Sequence, residues 1–188
     1  LGLGIILLHN LQTGFIASAR LHVLVTHLHV ALVGFALIMM VGVSHRLLPM
    51  FLLSHGADTR WTRRALALLA AGVPTFAIGV LAQRSAVSWE GVVLLELGVA
   101  CFLRQAYAFY RARIKRSLDV GMYFVAVALG FLATSALLGP AVLAAGIAHA
   151  RLATLYVVIG LLGGIVMFVI GFFYKIVPLL AWTAHFRG

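Results

Sequence analysis

The chain has 188 residues, of which 64% are hydrophobic and 10% are charged, with a mean hydropathy of +1.13. Soluble domains carry about 25% charged residues, so this composition excludes a water-soluble fold and predicts an all-α integral membrane protein. The basic residues that give the net charge of +10 lie between apolar stretches and form no aromatic-basic motif, which argues against a nucleic-acid partner. The single cysteine, Cys101, excludes an internal disulfide.

A helix that crosses a bilayer needs about 20 apolar residues. The sequence predicts a partial span that ends near His9, then five full spans: His22–Leu53, Ala65–Gln83, Val87–Tyr110, Gly121–Ala145 and Leu152–Trp182. The first and last full spans are long enough to tilt or project from the bilayer. Pro49 and Pro178 near their ends predict a kink or a stop.

Residues 1–188 are interpreted as a single transmembrane domain. Because the chain starts at Leu1 inside an apolar run, we expect either a processed chain or a fragment of a longer one. Basic residues are unequally distributed between the two ends of the spans. One side carries Arg20, Arg84 and Arg151; the other carries Arg60, Arg63, Arg64, Arg111, Arg113, Lys115, Arg116 and Arg187. Cytoplasmic loops are rich in Lys and Arg, so we predict a multi-pass protein of the cell (inner) membrane with the second side in the cytoplasm.

An internal repeat is visible at a shift of 129 residues. The segment Gly42–Phe51 (GVSHRLLPMF) aligns with Gly171–Leu180 (GFFYKIVPLL), and Gly34 then falls on Gly163. Matching glycine, basic and proline positions favour a duplication over chance similarity between apolar helices. The repeating unit would contain four helices, with the first and fifth full spans as counterparts.

Five of the eight histidines lie toward the predicted outer side: His9, His22, His27, His29 and His149. Ionisable residues inside a membrane are costly and by default indicate function. On a helix His27 and His29 are about 200° apart, so they face nearly opposite sides and do not share one metal ion. His22 shares a face with His29 at about 10 Å along the axis.

Neutral imidazole is a ligand for Fe, Cu and Zn. The absence of a nearby Cys or acidic partner argues against a common zinc site, whereas haem needs only one or two axial histidines. The pattern therefore favours haem ligation by His27 and His29, with His22 and His149 as further candidates. The alternative is that these imidazoles bind backbone carbonyls or water, and that His149 begins a helix at the interface.

The segments Thr26–Phe35 (THLHVALVGF) and Gly42–Phe51 resemble the tenth helix of haem-copper oxidase subunit I, a family that includes the cbb-type oxidases and nitric oxide reductases. The resemblance implies that His27 ligates a high-spin haem iron and His29 a low-spin one. It implies one or two haems b, and an electron supply from other respiratory subunits, a cytochrome c or a quinol. The family's copper ligands are not found, so any copper is expected on another segment or chain.

The resemblance also implies a role for Arg84 opposite haem propionates. Arg151, at the start of the last span, is either a second propionate partner or an interfacial anchor. Glu96 within the third full span is either a proton-relay carboxyl or the partner of Arg104 on the same helix.

The sequence thus predicts a haem b-binding integral membrane subunit of respiratory type. Its activity would be electron transfer, with oxygen or nitric oxide reduction as a further step. Two alternatives stay open: a simple bis-histidine cytochrome b, and a cofactor-free transporter or assembly subunit.

Overall fold

The computed structural model describes residues 2–16, 20–54, 58–114, 117–146 and 149–186, of which about 90% are helical and none form a strand. Lys115, Arg116 and Arg187, which entered the sequence interpretation, lie outside these residues. The helices are α1 (Gly2–Thr13), α2 (Arg20–Leu52), α3 (Arg60–Leu81), α4 (Ser85–Arg111), α5 (Val120–Ala145) and α6 (Ala150–Phe186). Helices α2 to α6, with 33, 22, 27, 26 and 37 residues, are long and apolar enough to cross a membrane.

Two boundaries of the five long helices differ from the prediction by more than two residues. Helix α3 begins at Arg60, earlier than the predicted Ala65, because its first turn carries polar residues that continue the helix beyond the apolar span. Helix α6 continues through Pro178 to Phe186, so a stop at that proline was wrong. Helix α2 does end close to Pro49, where Leu53 adopts a left-handed conformation. Prolines are tolerated inside membrane helices because neighbouring groups satisfy the freed carbonyls.

Successive helices run antiparallel, so the bundle has two distinct ends. The end that contains Arg20, Leu81, Ser85, Ala145 and Ala150 is called the histidine end, and the opposite end the arginine end. Contacts between consecutive helices continue from α2 to α6, and α6 returns to α2. The five long helices therefore surround a common centre.

Helices α3 and α4 pack closely because glycines lie where they cross. A Cβ on Gly91 would lie 2.5 Å from the Cα of Phe76, and one on Gly79 would lie 2.4 Å from the backbone nitrogen of Ser88. Atoms do not approach so closely, so these positions admit no side chain. Small residues let helix backbones approach within a membrane, where packing replaces the hydrophobic effect as the main attraction between helices.

The centre of the bundle is filled at the arginine end. Phe168 packs edge-on against Phe172 at 4.7 Å between ring centroids, and it also contacts Phe102 of α4 at 6.3 Å. The rings of Phe51 and Phe172 join α2 to α6 at 5.8 Å. Large apolar side chains also point outward from the bundle, and Leu137 is 80% exposed. The hydrocarbon core of a bilayer would cover such side chains.

The two longest helices each contain a π-helical stretch. These stretches are Val30–Leu37 in α2 and Ile159–Val166 in α6. They are separated by 129 residues, which is also the shift of the predicted repeat. π-Helical turns are rare, and those that occur are often at functional sites. Their position beside the centre of the bundle therefore indicates a candidate site in that region.

Candidate functional site

A cavity of about 150 Å³ lies between α2, α3, α4, α5 and α6, toward the histidine end. Most of its wall is apolar. Four polar side chains, one from each of α2, α4, α5 and α6, also line it: His29, Glu96, Ser135 and Tyr156. His29 lies about 14 Å along α2 from its first residue, beside Phe76 in the second half of α3.

His29 is held by contacts on both ring nitrogens. Its Nδ1 lies 2.9 Å from the carbonyl oxygen of Val25, one turn earlier, and its Nε2 lies 3.3 Å from the Tyr156 hydroxyl. A carbonyl oxygen only accepts, so Nδ1 carries the proton and Nε2 accepts from Tyr156. The ring also packs on Phe76 of α3 at 4.4 Å between centroids. These contacts fix the orientation of the imidazole at the cavity wall.

Tyr156 and Glu96 complete the polar part of the cavity. The ring of Tyr156 lies nearly parallel to that of His29, with centroids 5.9 Å apart. Glu96 points toward α5, where a Cβ on Gly139 would lie 3.1 Å from its Oε1. Its carboxyl accepts no hydrogen bond from the residues that the structure describes. The interpretation that Glu96 pairs with Arg104 was wrong, because Arg104 contacts the Trp61 ring at the arginine end.

His27 has a different neighbour from His29. Its Cε1 lies 3.3 Å from the position that a Cβ on Gly4 would occupy, so the ring packs between α2 and α1. His29 instead faces α6 and α3. The helical spacing predicts this separation, and only His29 reaches the cavity.

The remaining predicted site residues lie away from the cavity wall. His22 is half-buried, and its Nδ1 has no hydrogen-bond partner among the described residues. Arg84 is exposed in the turn before α4. His149 is exposed just before α6 without capping it, and Arg151 is exposed in the first turn of that helix. Arg84, His149 and Arg151 therefore lie at the surface of the histidine end.

Sequence reasoning did not select Tyr156 or Ser135 as site residues. Tyr156 occupies the position that the repeat aligns with His27, and this alignment was the available signal. Ser135 carried no signal, because serines are common inside membrane helices. It lies where α5 crosses α6, with its Oγ 2.7 Å from the position of a Cβ on Gly160.

Within the described part of the chain, no three His, Cys, Asp or Glu side chains come together as a metal-ligand group. Haem requires less of the protein, since the porphyrin supplies four of the iron's ligands. His29 fits the part of an axial ligand, because such histidines usually donate their second N–H to a carbonyl or carboxylate. The enclosed volume is smaller than the 300–1,000 Å³ of typical pockets for drug-sized ligands, so the cavity has to widen before it encloses a porphyrin.

Comparisons with protein-family models, with curated proteins and with solved structures find no match to this chain.

Proposed function

We propose that the protein is a haem b-binding integral membrane subunit in which His29 is the axial ligand. The observation that carries this proposal is the geometry of the imidazole: Nδ1 donates to the Val25 carbonyl, and Nε2, which accepts the Tyr156 hydrogen bond, lies at the wall of the mostly apolar cavity. This arrangement fixes the tautomer and directs the Nε2 lone pair into the cavity, as in histidines that ligate a metal. A bound haem b supplies an iron that carries one electron between its ferrous and ferric states.

The residues around His29 have supporting roles in this proposal. Tyr156 would have to release its hydrogen bond to Nε2 for this nitrogen to hold the haem iron. The π-helical stretches start beside both residues, after His29 in α2 and soon after Tyr156 in α6. His27 faces α1, and we assign it the ligand role toward a second haem, as the resemblance to haem-copper oxidases implies. Electron exchange with other respiratory subunits, a cytochrome c or a quinol, and reduction of oxygen or nitric oxide, are parts of the same proposal.

The matched π-helical stretches also support an internal duplication. We propose that α2 and α6 are counterparts, with α1 as a partial span that precedes the five full ones. In that arrangement the cavity lies beside the crossing of two equivalent helices. Only one of them, α2, carries the His-x-His sequence.

A second candidate function is a cofactor-free membrane subunit, such as a transporter component or an assembly subunit. The cavity volume favours it, because about 150 Å³ is the size of a site that binds benzene. In that case the His29–Tyr156 hydrogen bond is a permanent contact between α2 and α6.

Optical spectra of protein purified from cells supplied with haem precursor separate the two. We expect a Soret band and a b-type pyridine haemochrome spectrum. The haem content per protein should fall in His29→Ala and stay unchanged in His185→Ala, a matched exposed histidine on α6. A His27→Ala variant then reports whether a second haem is present. Folded protein without a Soret band, or a spectrum unchanged in His29→Ala, refutes the assignment of His29.

A further inference from the structure

Three arginines surround one tryptophan at the arginine end. The guanidinium carbons of Arg60, Arg64 and Arg104 lie 5.6, 4.7 and 5.7 Å from the ring of Trp61. Two of them come from the first turns of α3 and one comes from α4. Each lies within the range of cation–π attraction, which orders the long side chains around the indole.

Among the described residues, only one of these three arginines has a carboxylate partner. The chain has four acidic side chains in all. Asp58 pairs with Arg60 at 3.2 Å, and Asp119 pairs with Lys175 of α6. The other two, Glu90 and Glu96, lie on α4 toward the histidine end; Glu96 is about 12 Å along the axis from Arg104. Arg64 and Arg104 therefore have no carboxylate partner among the described residues.

We expect the cluster to lie at the depth of lipid headgroups. Trp61 is in the first turn of α3, and Tyr107 and Tyr110 are exposed in the last turns of α4 at the same end of the bundle. Tryptophan and tyrosine are enriched at the membrane–water interface. Arg104 is farther from the helix end than these residues, and its long stem lets the guanidinium reach the same level.

We propose that Arg60, Arg64 and Arg104 around Trp61 form a binding site for the phosphate of an anionic phospholipid headgroup. Guanidinium groups bind phosphate oxygens through paired hydrogen bonds. Basic pockets between membrane helices bind anionic headgroups, and the cytoplasmic leaflet, where the loop charges place this end, is rich in such lipids. The site is independent of the cavity and of haem.

Tryptophan quenching measures occupancy directly. Trp61 is one of three tryptophans, so Trp89→Phe and Trp182→Phe leave it as the only indole. Brominated phosphatidylglycerol should quench Trp61 more strongly than brominated phosphatidylcholine at equal mole fraction. The ratio of association constants should be about five or more. A ratio near one in this protein overturns the proposal.

Two double variants test the residues. Arg64→Gln with Arg104→Gln should bring the ratio close to one. Arg63→Gln with Arg111→Gln removes the same charge from the same two helices and should leave the ratio unchanged, because these arginines make no cation–π contact with Trp61. If the ratio falls equally in both double variants, the preference comes only from diffuse surface charge, and a defined site is refuted.

Two further measurements distinguish a bound lipid from a free anion and from unselective lipid contact. Inorganic phosphate, compared with chloride at the same ionic strength, should not displace the lipid; if it does, the site is one for free phosphate. The unmodified protein, released from mixed-lipid nanodiscs into a mass spectrometer, should retain phosphatidylglycerol in preference to phosphatidylcholine. Equal retention of the two lipids counts against the site without depending on any variant.

Discussion

The hydroxyl of Tyr156 lies 3.3 Å from Nε2 of His29, although 127 residues separate them in the chain. This hydrogen bond joins the two longest helices at the wall of the central cavity. In a membrane interior no water competes for either group, so their pairing satisfies both without solvent.

Tyr156→Phe removes this hydrogen bond and little else. We expect the free energy of unfolding to fall by about 0.6 kcal/mol, and by no more than about 1.7 kcal/mol, as for other hydrogen bonds between membrane helices. Unfolding in mixed detergent micelles measures it. A double-mutant cycle with His29→Ala should return a coupling energy of the same size. Tyr123→Phe, at an exposed position of α5, is the matched control and should have no effect.

Ala136→Leu places a larger side chain at the cavity wall. We expect the haem content to fall to about a tenth or less, since the added atoms occupy space that the cofactor needs. The free energy of unfolding should stay equal or rise by about 0.5–2 kcal/mol, as cavity filling usually gives. Haem per protein and thermal unfolding are the two measurements.

Ala126→Leu makes the same change on the exposed face of α5 and should alter neither quantity. If Ala136→Leu keeps its full haem content, this cavity does not hold the cofactor.

Gly91→Ala tests the close approach of α3 and α4. Its Cβ would lie 2.5 Å from the Cα of Phe76, so the helices have to move apart. We expect a loss of about 1–3 kcal/mol in the free energy of unfolding, as for other overpacked sites. Gly130→Ala in α5 meets nothing within 4 Å and should raise stability by up to about 1 kcal/mol, because alanine favours a helix. Similar effects at the two sites would contradict the crossing geometry.

Gln105→Leu tests a buried polar contact at the start of α3. The Gln105 side chain, 1% exposed, accepts a hydrogen bond from the Thr62 backbone nitrogen at 3.2 Å and donates one to the Asp58 carbonyl at 2.9 Å. Leucine removes the donor to the Asp58 carbonyl, while the Thr62 nitrogen keeps its second hydrogen bond, to the Thr59 carbonyl at 3.1 Å. We therefore expect a loss of about 1–3 kcal/mol in the free energy of unfolding. Chemical denaturation measures this loss, and Gln12→Leu on the exposed face of α1 is its control.

The membrane spans could be predicted from the sequence because one physical quantity decides them. That quantity is the hydropathy over about 20 residues. The boundaries of the predicted span Val87–Tyr110 are within two residues of those of α4, and the boundaries of Gly121–Ala145 are within one residue of those of α5. The prediction was wrong at the start of α3, because polar residues that precede the apolar span also form part of the helix. Of the kink or stop predicted at Pro178, the stop does not occur, since a membrane helix tolerates a proline that would end a helix in water.

The candidate site was predictable only in part. The opposite faces of His27 and His29 follow from helical geometry alone. Which of the two faces the centre does not follow, because a helix in lipid is apolar on every side and has no amphipathic pattern to set its rotation. The same ambiguity applied to Glu96, for which the sequence allowed either a proton-relay role or a pairing with Arg104 on the same helix.

By itself, the sequence determined that the chain forms long apolar helices and which ends of these helices carry most of the basic residues. It also determined where the few polar groups interrupt the helices. Each of these features depends on residues that are neighbours in the chain. Only the tertiary structure decided that His29, Tyr156 and Glu96 share a cavity and that Arg64 and Arg104 meet at Trp61. Those contacts depend on how each helix rotates against its neighbours. Close packing at glycines and across the phenylalanine core sets that rotation.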